Sequence, residues 1–394
     1  MIFKKKFLFG PNPSVPWAEK MVLNPAMFRD PDEPETIHML FRATGAMAEC
    51  RIPRDPLPYP IFLGYAVSRD NGGCWECDWS CPALAPGLKR NVPDLNVKDA
   101  FGRTWFDYSN GCIEDPRVFP FEGALYLSIA CRAFPPGPYW EHDDPVQCMP
   151  DSIRAATSDF GRSVAENSTV SLLYRLDLHA LRERRYNEAF SFVVPLHNPD
   201  ISDDRDVVLF PRRLRINGSE KIVCIHRPKH PWNYKIGKEL SAPSIFLALG
   251  DSLADFADGS AEEFVFAKPE FAWEANRVGA SWAPLEIEHG LWVLPYHGKQ
   301  DDNVGYTQSF MLLRERSTGL PEILVRPEER LLYAAEPWEL EGDFTIPCLF
   351  TCSGILRTDG SLLMGYGAAD AKVGTVSVDW NELCLYLKKK GNIV

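Results

Sequence analysis

One short stretch, residues 111–118, places two adjacent acids, a proline and an arginine directly before an apolar run. Glu114, Asp115 and Arg117 therefore stand at the entrance of a predicted strand. Polar groups at such a place are costly to bury unless they pair with one another or take part in catalysis. We predict that Asp115 handles a proton in an enzymatic reaction. The alternative is a turn with a surface ion pair.

Other catalytic signatures are absent from the sequence. It contains no Gly-x-Ser-x-Gly elbow, no phosphate-binding P-loop, no His-Glu-x-x-His motif and no nicotinamide-binding glycine motif after a strand. Carboxylate chemistry remains, and cleavage of a glycosidic bond is the commonest reaction that needs only carboxylates. The sequence therefore favours a glycosidase.

Five copies of an apolar hairpin, each followed by a polar cluster, provide a way to bring other residues to Asp115. Four of the turns contain glycine: Glu122-Gly123, Asn217-Gly218, His289-Gly290 and Asp359-Gly360. The copies are spaced by roughly 70 to 95 residues, which leaves room for two more strands in each unit. Four strands make a propeller blade. We predict an all-β, five-bladed β-propeller, with a two-domain β-sandwich protein as the alternative.

The inner strands of a propeller surround a central channel, so polar residues at equivalent strand ends meet at one mouth. We predict that substrate-binding side chains gather there with Asp115. They are Arg42, Arg117, Arg132, His226, Arg227, Tyr296, His297, Asp302 and Asp370. Aromatic residues suited to stacking on sugar rings are Trp17, Trp105, Tyr139, Trp140, Trp232 and Trp273, although each alone is more often part of a core.

The composition restricts the functional class. The chain has 394 residues, a formal net charge of −12 and a pI of about 5.3, which disfavours a nucleic-acid partner. The apolar run after the N-terminal lysines is too short for a signal peptide, and no stretch is long enough to cross a membrane. Cys74, Cys77 and Cys81 lack a fourth zinc ligand nearby, and the odd total of 11 cysteines favours reduced thiols.

These features predict a cytoplasmic protein whose residues 1–394 form a single domain and which could form homo-oligomers. We expect the first ~20 residues and the C-terminal segment to close the propeller. Helical periodicity is confined to short segments at 178–185, 253–258 and 380–387.

Four motifs occur in order along the chain. They are Glu114-Asp115-Pro116-Arg117, His226-Arg227-Pro228, Tyr296-His297-Gly298 and Tyr366-Gly367-Ala368-Ala369-Asp370. Together they resemble glycoside hydrolase family 130 over nearly the whole chain. The resemblance implies a five-bladed propeller that cleaves β-mannosides of manno-oligosaccharides with inversion at the anomeric carbon and without a metal or other cofactor. It also implies that Asp115 is the acid and that its proton travels through a hydroxyl of the bound mannose.

The resemblance leaves the nucleophile open, because the family contains hydrolases and also phosphorylases that use inorganic phosphate as co-substrate to release mannose 1-phosphate. Phosphate needs two or three cations around it. Arg154 lies near a position where the family's phosphorylases carry an arginine but is displaced from it, and Arg132 and His297 could also help to hold phosphate.

Hydrolysis instead needs a carboxylate base about 6.5 to 9.5 Å from the acid. Candidates are Glu141, Asp143 and Asp144, in a long loop at 133–150 that we expect to overhang the site, and also Asp206 and Asp302. We favour hydrolysis, because Arg154 is displaced, and keep phosphorolysis as the alternative. A non-catalytic sugar-binding propeller and a five-bladed furanosidase remain as further alternatives.

Overall fold

The computed structural model describes residues 1–45, 61–87, 96–110, 112–132, 169–199, 203–228, 240–301, 303–342 and 346–393. Within these ranges antiparallel strands dominate, and they form five sheets that are arranged as the blades of a β-propeller and a sixth, two-stranded sheet. The predicted all-β, five-bladed fold is confirmed. That the whole chain is one domain stays a prediction.

The strands of the first half of the chain alternate with short turns. They are β1 (Lys4–Phe9), β2 (Met21–Arg29), β3 (Ile37–Thr44), β4 (Ile61–Ser68), β5 (Glu76–Asp78), β6 (Asn96–Lys98), β7 (Thr104–Phe106), β8 (Ile113–Phe121), β9 (Ala124–Arg132), β10 (Thr169–Leu176), β11 (Phe190–Pro195) and β12 (Asp204–Leu209).

The second half continues the same pattern. Its strands are β13 (Leu214–Ile216), β14 (Ser219–Pro228), β15 (Ile245–Gly250), β16 (Glu262–Ala267), β17 (Arg277–Ala280), β18 (Leu285–Glu288), β19 (Leu291–Asp301), β20 (Val304–Arg314), β21 (Glu322–Val325), β22 (Leu349–Leu356), β23 (Ser361–Ala368) and β24 (Lys372–Asp379). The helices are α1 (Leu178–Arg182), α2 (Tyr186–Ala189), α3 (Ala254–Asp258) and α4 (Trp380–Lys390), with 3-10 turns at Tyr108–Asn110, Ala272–Glu274 and Pro337–Glu339.

Each blade contains a path of four hydrogen-bonded strands. The orders are β2-β3-β4-β5 in blade 1, β8-β9-β10-β11 in blade 2, β12-β14-β15-β16 in blade 3, β17-β19-β20-β21 in blade 4 and β22-β23-β24-β1 in blade 5. The first strands of blades 5, 1, 2, 3 and 4 contact one another in that order, through the pairs β22 and β2, β2 and β8, β8 and β12, and β12 and β17, so these five strands are the inner ones. Clusters of buried aliphatic and aromatic side chains fill the space within and between the blades.

Two of the predicted inner strands are interrupted by proline. Pro211 lies between β12 and β13, and Pro284 lies between β17 and β18. Proline lacks the backbone N–H that a ladder needs. The glycine turns of blades 3 and 4 consequently join the short strands β13 and β18, rather than β12 and β17, to the next strand.

Blade 5 combines the two ends of the described chain. Strand β1 pairs with β24, and Lys5 donates from β1 to the buried carboxylate of Glu339 at 2.7 Å. The hydroxyl of Tyr366 in β23 donates to the same carboxylate at 2.6 Å. Helix α4 packs against blades 4 and 5. None of the helices in the described ranges is long and apolar enough to span a membrane.

Candidate active site

The inner strands of blades 1, 2 and 3 each carry a β-bulge at the same level of the channel. The strand register shifts around Asn24 in β2, Asp115 in β8 and Asp206 in β12. These three residues have φ of 48°, 50° and 58°, in the left-handed region that Asn and Asp tolerate better than most residues. A bulge re-aims the side chain of its extra residue. Asn24 and Asp115 thereby come within hydrogen-bond distance of each other, and Asp206 comes within hydrogen-bond distance of Arg117 in blade 2.

The carboxylate of Asp115 is held from one side only. Its Oδ1 atom accepts a hydrogen bond from Asn24 Nδ2 at 2.7 Å and one from Arg42 Nη1 at 3.3 Å. Its Oδ2 atom accepts none from the part of the chain that the structure describes. The side chain is 11% exposed. One oxygen is therefore fixed by the protein, while the other is left for a ligand or a proton.

Glu114 also faces the mouth, although neighbouring side chains in a regular strand point to opposite faces. Its Oε2 atom lies 3.6 Å from Arg42 Nη1 and 3.3 Å from Arg205 Nη1. The bulge at Asp115 breaks the alternation, so both acids reach Arg42. Glu114 thus links Arg42, which lies beside Asp115, to Arg205 in blade 3.

Asp370 approaches from blade 5, in the turn between β23 and β24, where Ala369 and Asp370 both have positive φ. Burial raises the pKa of the Asp370 carboxyl, and the positive charge of Arg42 opposes this shift. For Arg42 itself, burial lowers the guanidinium pKa, but Glu114, Asp115 and Asp370 outweigh it and the pKa is raised. Arg42 therefore stays charged among three acids.

Asp206 lies at the centre of a second, buried cluster. Its Oδ1 atom accepts from Arg117 Nη2 at 2.8 Å, and its Oδ2 atom accepts from Arg227 Nε and lies 3.2 Å from His297 Nε2. Burial raises the Asp206 pKa, but Arg227, His297 and Arg117 outweigh it and lower this pKa well below its ordinary value. Because cations occupy both oxygens, Asp206 is a poor candidate for the base of a hydrolase.

Arg117 lies beneath the mouth and binds protein on all sides. Its Nε atom donates to the carbonyl of Ser281 at 2.8 Å and its Nη1 atom to the carbonyl of Asp115 at 3.1 Å, in addition to the bond to Asp206. Its side chain is 3% exposed. These contacts tie blades 2, 3 and 4 together and do not support the predicted binding of Arg117 to substrate.

Two predicted pairs, His226-Arg227 and Tyr296-His297, are divided between opposite faces of their strands. Arg227 and His297 reach Asp206. His226 instead binds Asp204 at 2.6 Å, and the Tyr296 hydroxyl donates to Glu274 at 2.9 Å inside blade 4. Successive residues of a strand point to opposite faces, so only one member of each pair can face the channel. The contacts of His226 and Tyr296 do not support their predicted binding to substrate.

His297 is fully buried, with Nδ1 3.3 Å from the Ser281 hydroxyl. Burial lowers the pKa of this imidazole, against the opposing effect of Asp206. A lowered pKa keeps His297 neutral near pH 7. Arg117 and Arg227 then carry two positive charges against the single carboxylate of Asp206, which leaves the cluster with one excess positive charge.

Several predicted residues lie outside the described residues. They are Asp302, the side chain of Arg132, Arg154, the loop acids Glu141, Asp143 and Asp144, and the aromatics Tyr139, Trp140 and Trp232. Of the other aromatics, Trp17 packs on Phe41, the indole N–H of Trp105 binds Asp99, and that of Trp273 binds the carbonyl of Glu328. These three side chains are structural.

Sequence reasoning overlooked the parts played by Asn24, Arg205, Tyr306 and Phe350. The Phe350 ring lies 4.7 Å from His297 and 4.9 Å from Tyr306, under the Arg117 guanidinium. Asn24 and Arg205 could have been found from the repeat. The pairs Leu23-Asn24, Glu114-Asp115 and Arg205-Asp206 occupy equivalent places in it. The two rings come from strands whose inward-facing positions the sequence does not mark.

The family model described as beta-1,4-mannooligosaccharide phosphorylase matches residues 179–389, more than half of the chain. The chain belongs to glycoside hydrolase family 130. The beta-1,4-mannooligosaccharide phosphorylase of Ruminococcus albus is 25% identical over 209 residues, which cover 53% of this family 130 chain. The matched segment is 58% of that relative's own length.

Solved structures share the fold of this family 130 protein. The beta-1,2-mannobiose phosphorylase from Listeria innocua, in complex with beta-1,2-mannobiose, superposes with a TM-score of 0.60 at 17% identity and covers 94% of this chain and 92% of its own. A second structure comes from work describing GH130 glycoside hydrolases that target beta-1,2 mannosidic linkages in Candida mannan. It superposes with a TM-score of 0.58 at 14% identity and covers 96% of this chain and 93% of its own. At these identities the likeness concerns the fold alone.

Proposed function

We propose that this protein is an inverting β-mannoside phosphorylase, with inorganic phosphate as its nucleophile. The observation that carries the proposal is the pair of guanidinium groups, Arg117 and Arg227, that surround the single carboxylate of Asp206. The family assignment and the phosphorylase relative support the same reaction. The preference for hydrolysis drawn from the sequence is therefore reversed.

Arg205 and Arg227 are the cations that we assign to phosphate. The Arg205 side chain is 25% exposed at the mouth, where it bridges Glu114 and Thr169. The Nη1 atom of Arg227 is buried without a hydrogen-bond partner among the residues described. Tyr306 and Arg205 both lie close enough to influence the Arg227 pKa, which is raised because Asp206 and Tyr306 outweigh burial. Guanidinium groups match the geometry of phosphate oxygens.

In the proposed reaction an oxygen of phosphate attacks C1 of the terminal mannosyl unit from the face opposite the leaving oxygen. The bond between C1 and the leaving oxygen breaks, and that oxygen takes up the proton that Asp115 supplies. Inversion converts the β-linkage into α-mannose 1-phosphate and releases the shortened sugar. Arg42 and Asp370 flank Asp115, and we assign them to the mannosyl unit.

The proposal is tested by incubating the protein with β-1,2- and β-1,4-mannobiose, each with and without inorganic phosphate. We expect mannose 1-phosphate and one equivalent of mannose on at least one substrate, and no turnover without phosphate. Mannose released at the same rate in phosphate-free buffer contradicts phosphorolysis and supports a hydrolase. Saturable binding without any product supports the non-catalytic alternative.

Substitution of Arg205 tests the phosphate site itself. The variant Arg205→Gln keeps a donor for Thr169 but loses the charge, and we expect the KM for phosphate to rise about 10- to 100-fold. The KM for mannobiose should change far less, because Arg42 remains beside the sugar. The measurement is steady-state kinetics with either substrate varied.

Arg215→Gln is the matched control, because Arg215 is an exposed arginine of β13 in the same blade. We expect wild-type constants for it. An unchanged phosphate KM in Arg205→Gln, or an equal rise in both KM values, contradicts the assignment.

A further inference from the structure

We propose that Asn24 is a positioning residue for Asp115, and that it makes Oδ2 the oxygen that carries the catalytic proton. The inference rests on the role of Asp115 as acid in the proposed function. Asn24 lies in blade 1 and Asp115 in blade 2, so the hydrogen bond between them crosses a blade boundary. Asn24 acts through Asp115, rather than on the reacting atoms.

The hydrogen bond has a defined direction. Asn24 Nδ2 lies 2.7 Å from Asp115 Oδ1, while Asn24 Oδ1 is buried without a partner in the described residues. A flipped amide would place its oxygen against a carboxylate oxygen, and two acceptors repel each other. Asn24 therefore donates to Asp115. Arg42 is a second donor to the same atom. Because Asp115 Oδ1 accepts both hydrogen bonds, the proton of the acid is carried by Asp115 Oδ2.

The protein fixes the Asn24 side chain tightly. Asn24 is 4% exposed and has a left-handed φ of 48° at the bulge of β2. Gly367 in blade 5 packs directly against it, so closely that a Cβ at Gly367 would lie 2.2 Å from Asn24 Oδ1. Contacts from blades 1, 2 and 5 thus converge on one amide. A positioning role requires such rigidity, because a small displacement of an acid reduces its efficiency.

The variant Asn24→Gly tests the proposal, since glycine adopts positive φ without strain and removes only the amide. We expect kcat/KM on the accepted mannobiose to fall about 10- to 100-fold, as for loss of one hydrogen bond to a charged group. With 4-nitrophenyl β-mannoside, whose leaving group needs no proton, the loss should be about threefold or less. A structural or sugar-contacting role predicts equal losses on both substrates.

The pH profile on mannobiose gives a second readout that does not depend on turnover of the aryl mannoside. Removal of an N–H donor destabilises the carboxylate relative to the acid, so the acid keeps its proton to higher pH. We expect the alkaline limb of the kcat profile to move up by about 0.5 to 1 pH unit. An unmoved limb, or equal losses on both leaving groups, overturns the proposal.

Asn71→Gly is the matched control, because Asn71 is a second left-handed asparagine, with φ of 58°, in the turn between β4 and β5 at the other end of blade 1. We expect wild-type kinetics for it. The phosphate dependence of the wild-type protein tests the proposed function separately. An enzyme that used water instead would still show the leaving-group ratio, so the two failures are distinguishable.

Discussion

Replacing Asp115 with asparagine is expected to lower kcat for mannobiose about 10²- to 10⁴-fold, the usual contribution of a general acid. Asparagine is nearly isosteric, tolerates the left-handed φ of 50° and can accept the Asn24 hydrogen bond through its own oxygen. The fold and the pocket should therefore persist while the proton is lost. The measurement combines initial rates with calorimetric titration of mannobiose, and the titration should show retained binding.

The control for this substitution is Asp258→Asn, an exposed acid in α3 that contacts Arg103 and the backbone N–H of Ser260, away from the inner strands. It should have wild-type rates. Activity of Asp115→Asn within tenfold of the wild type would remove Asp115 from the acid role and leave the reaction without an assigned proton donor. Loss of binding together with activity would point to a collapsed pocket instead.

Replacing Asp206 with asparagine should destabilise the whole protein. Arg117 and Arg227 keep their charges in a buried place, and removing one partner of a buried ion pair costs about 3–5 kcal/mol. The expected result is a loss of roughly that size in the free energy of unfolding, measured by urea denaturation. Phosphorolysis should fall as well, because Arg227 loses the group that holds it.

The same substitution predicts a change in the pH dependence of stability. The folded-state pKa of Asp206 is depressed, so its contribution is present above the unfolded value of about 3.9 and is lost as pH falls through the folded value. The wild-type free energy of unfolding should therefore drop on acidification below about pH 4. Asp206→Asn should lack this part of the drop.

Asp251→Asn provides the comparison, because Asp251 pairs with Lys221 at 2.6 Å but its side chain is 73% exposed. Exposed pairs contribute about 0–1 kcal/mol, so its free energy of unfolding should stay close to the wild-type value. If Asp206→Asn behaved like Asp251→Asn, the cluster beneath the mouth would not be held by Asp206. The assignment of Arg205 and Arg227 to phosphate would then need another explanation.

The sequence determined the fold because hairpins depend on local patterns, and a local pattern also singled out Asp115 as the candidate acid. Glycine turns such as Asn217-Gly218 mark hairpins wherever they stand between apolar runs. Asp115 stood out because two acids, a proline and an arginine at a strand entrance are rarely placed there for packing alone. These signals lie within a few residues of one another, so no knowledge of distant contacts was needed.

Only the tertiary structure decided which residues face the channel. Arg227 and His297 turn towards Asp206, while their neighbours His226 and Tyr296 turn away, and the choice depends on bulges and strand register. The role that we propose for Asn24 likewise rests on a contact between residues 91 positions apart. A hydrophobic pattern does not encode such contacts, because they arise when five separate strands meet around one channel.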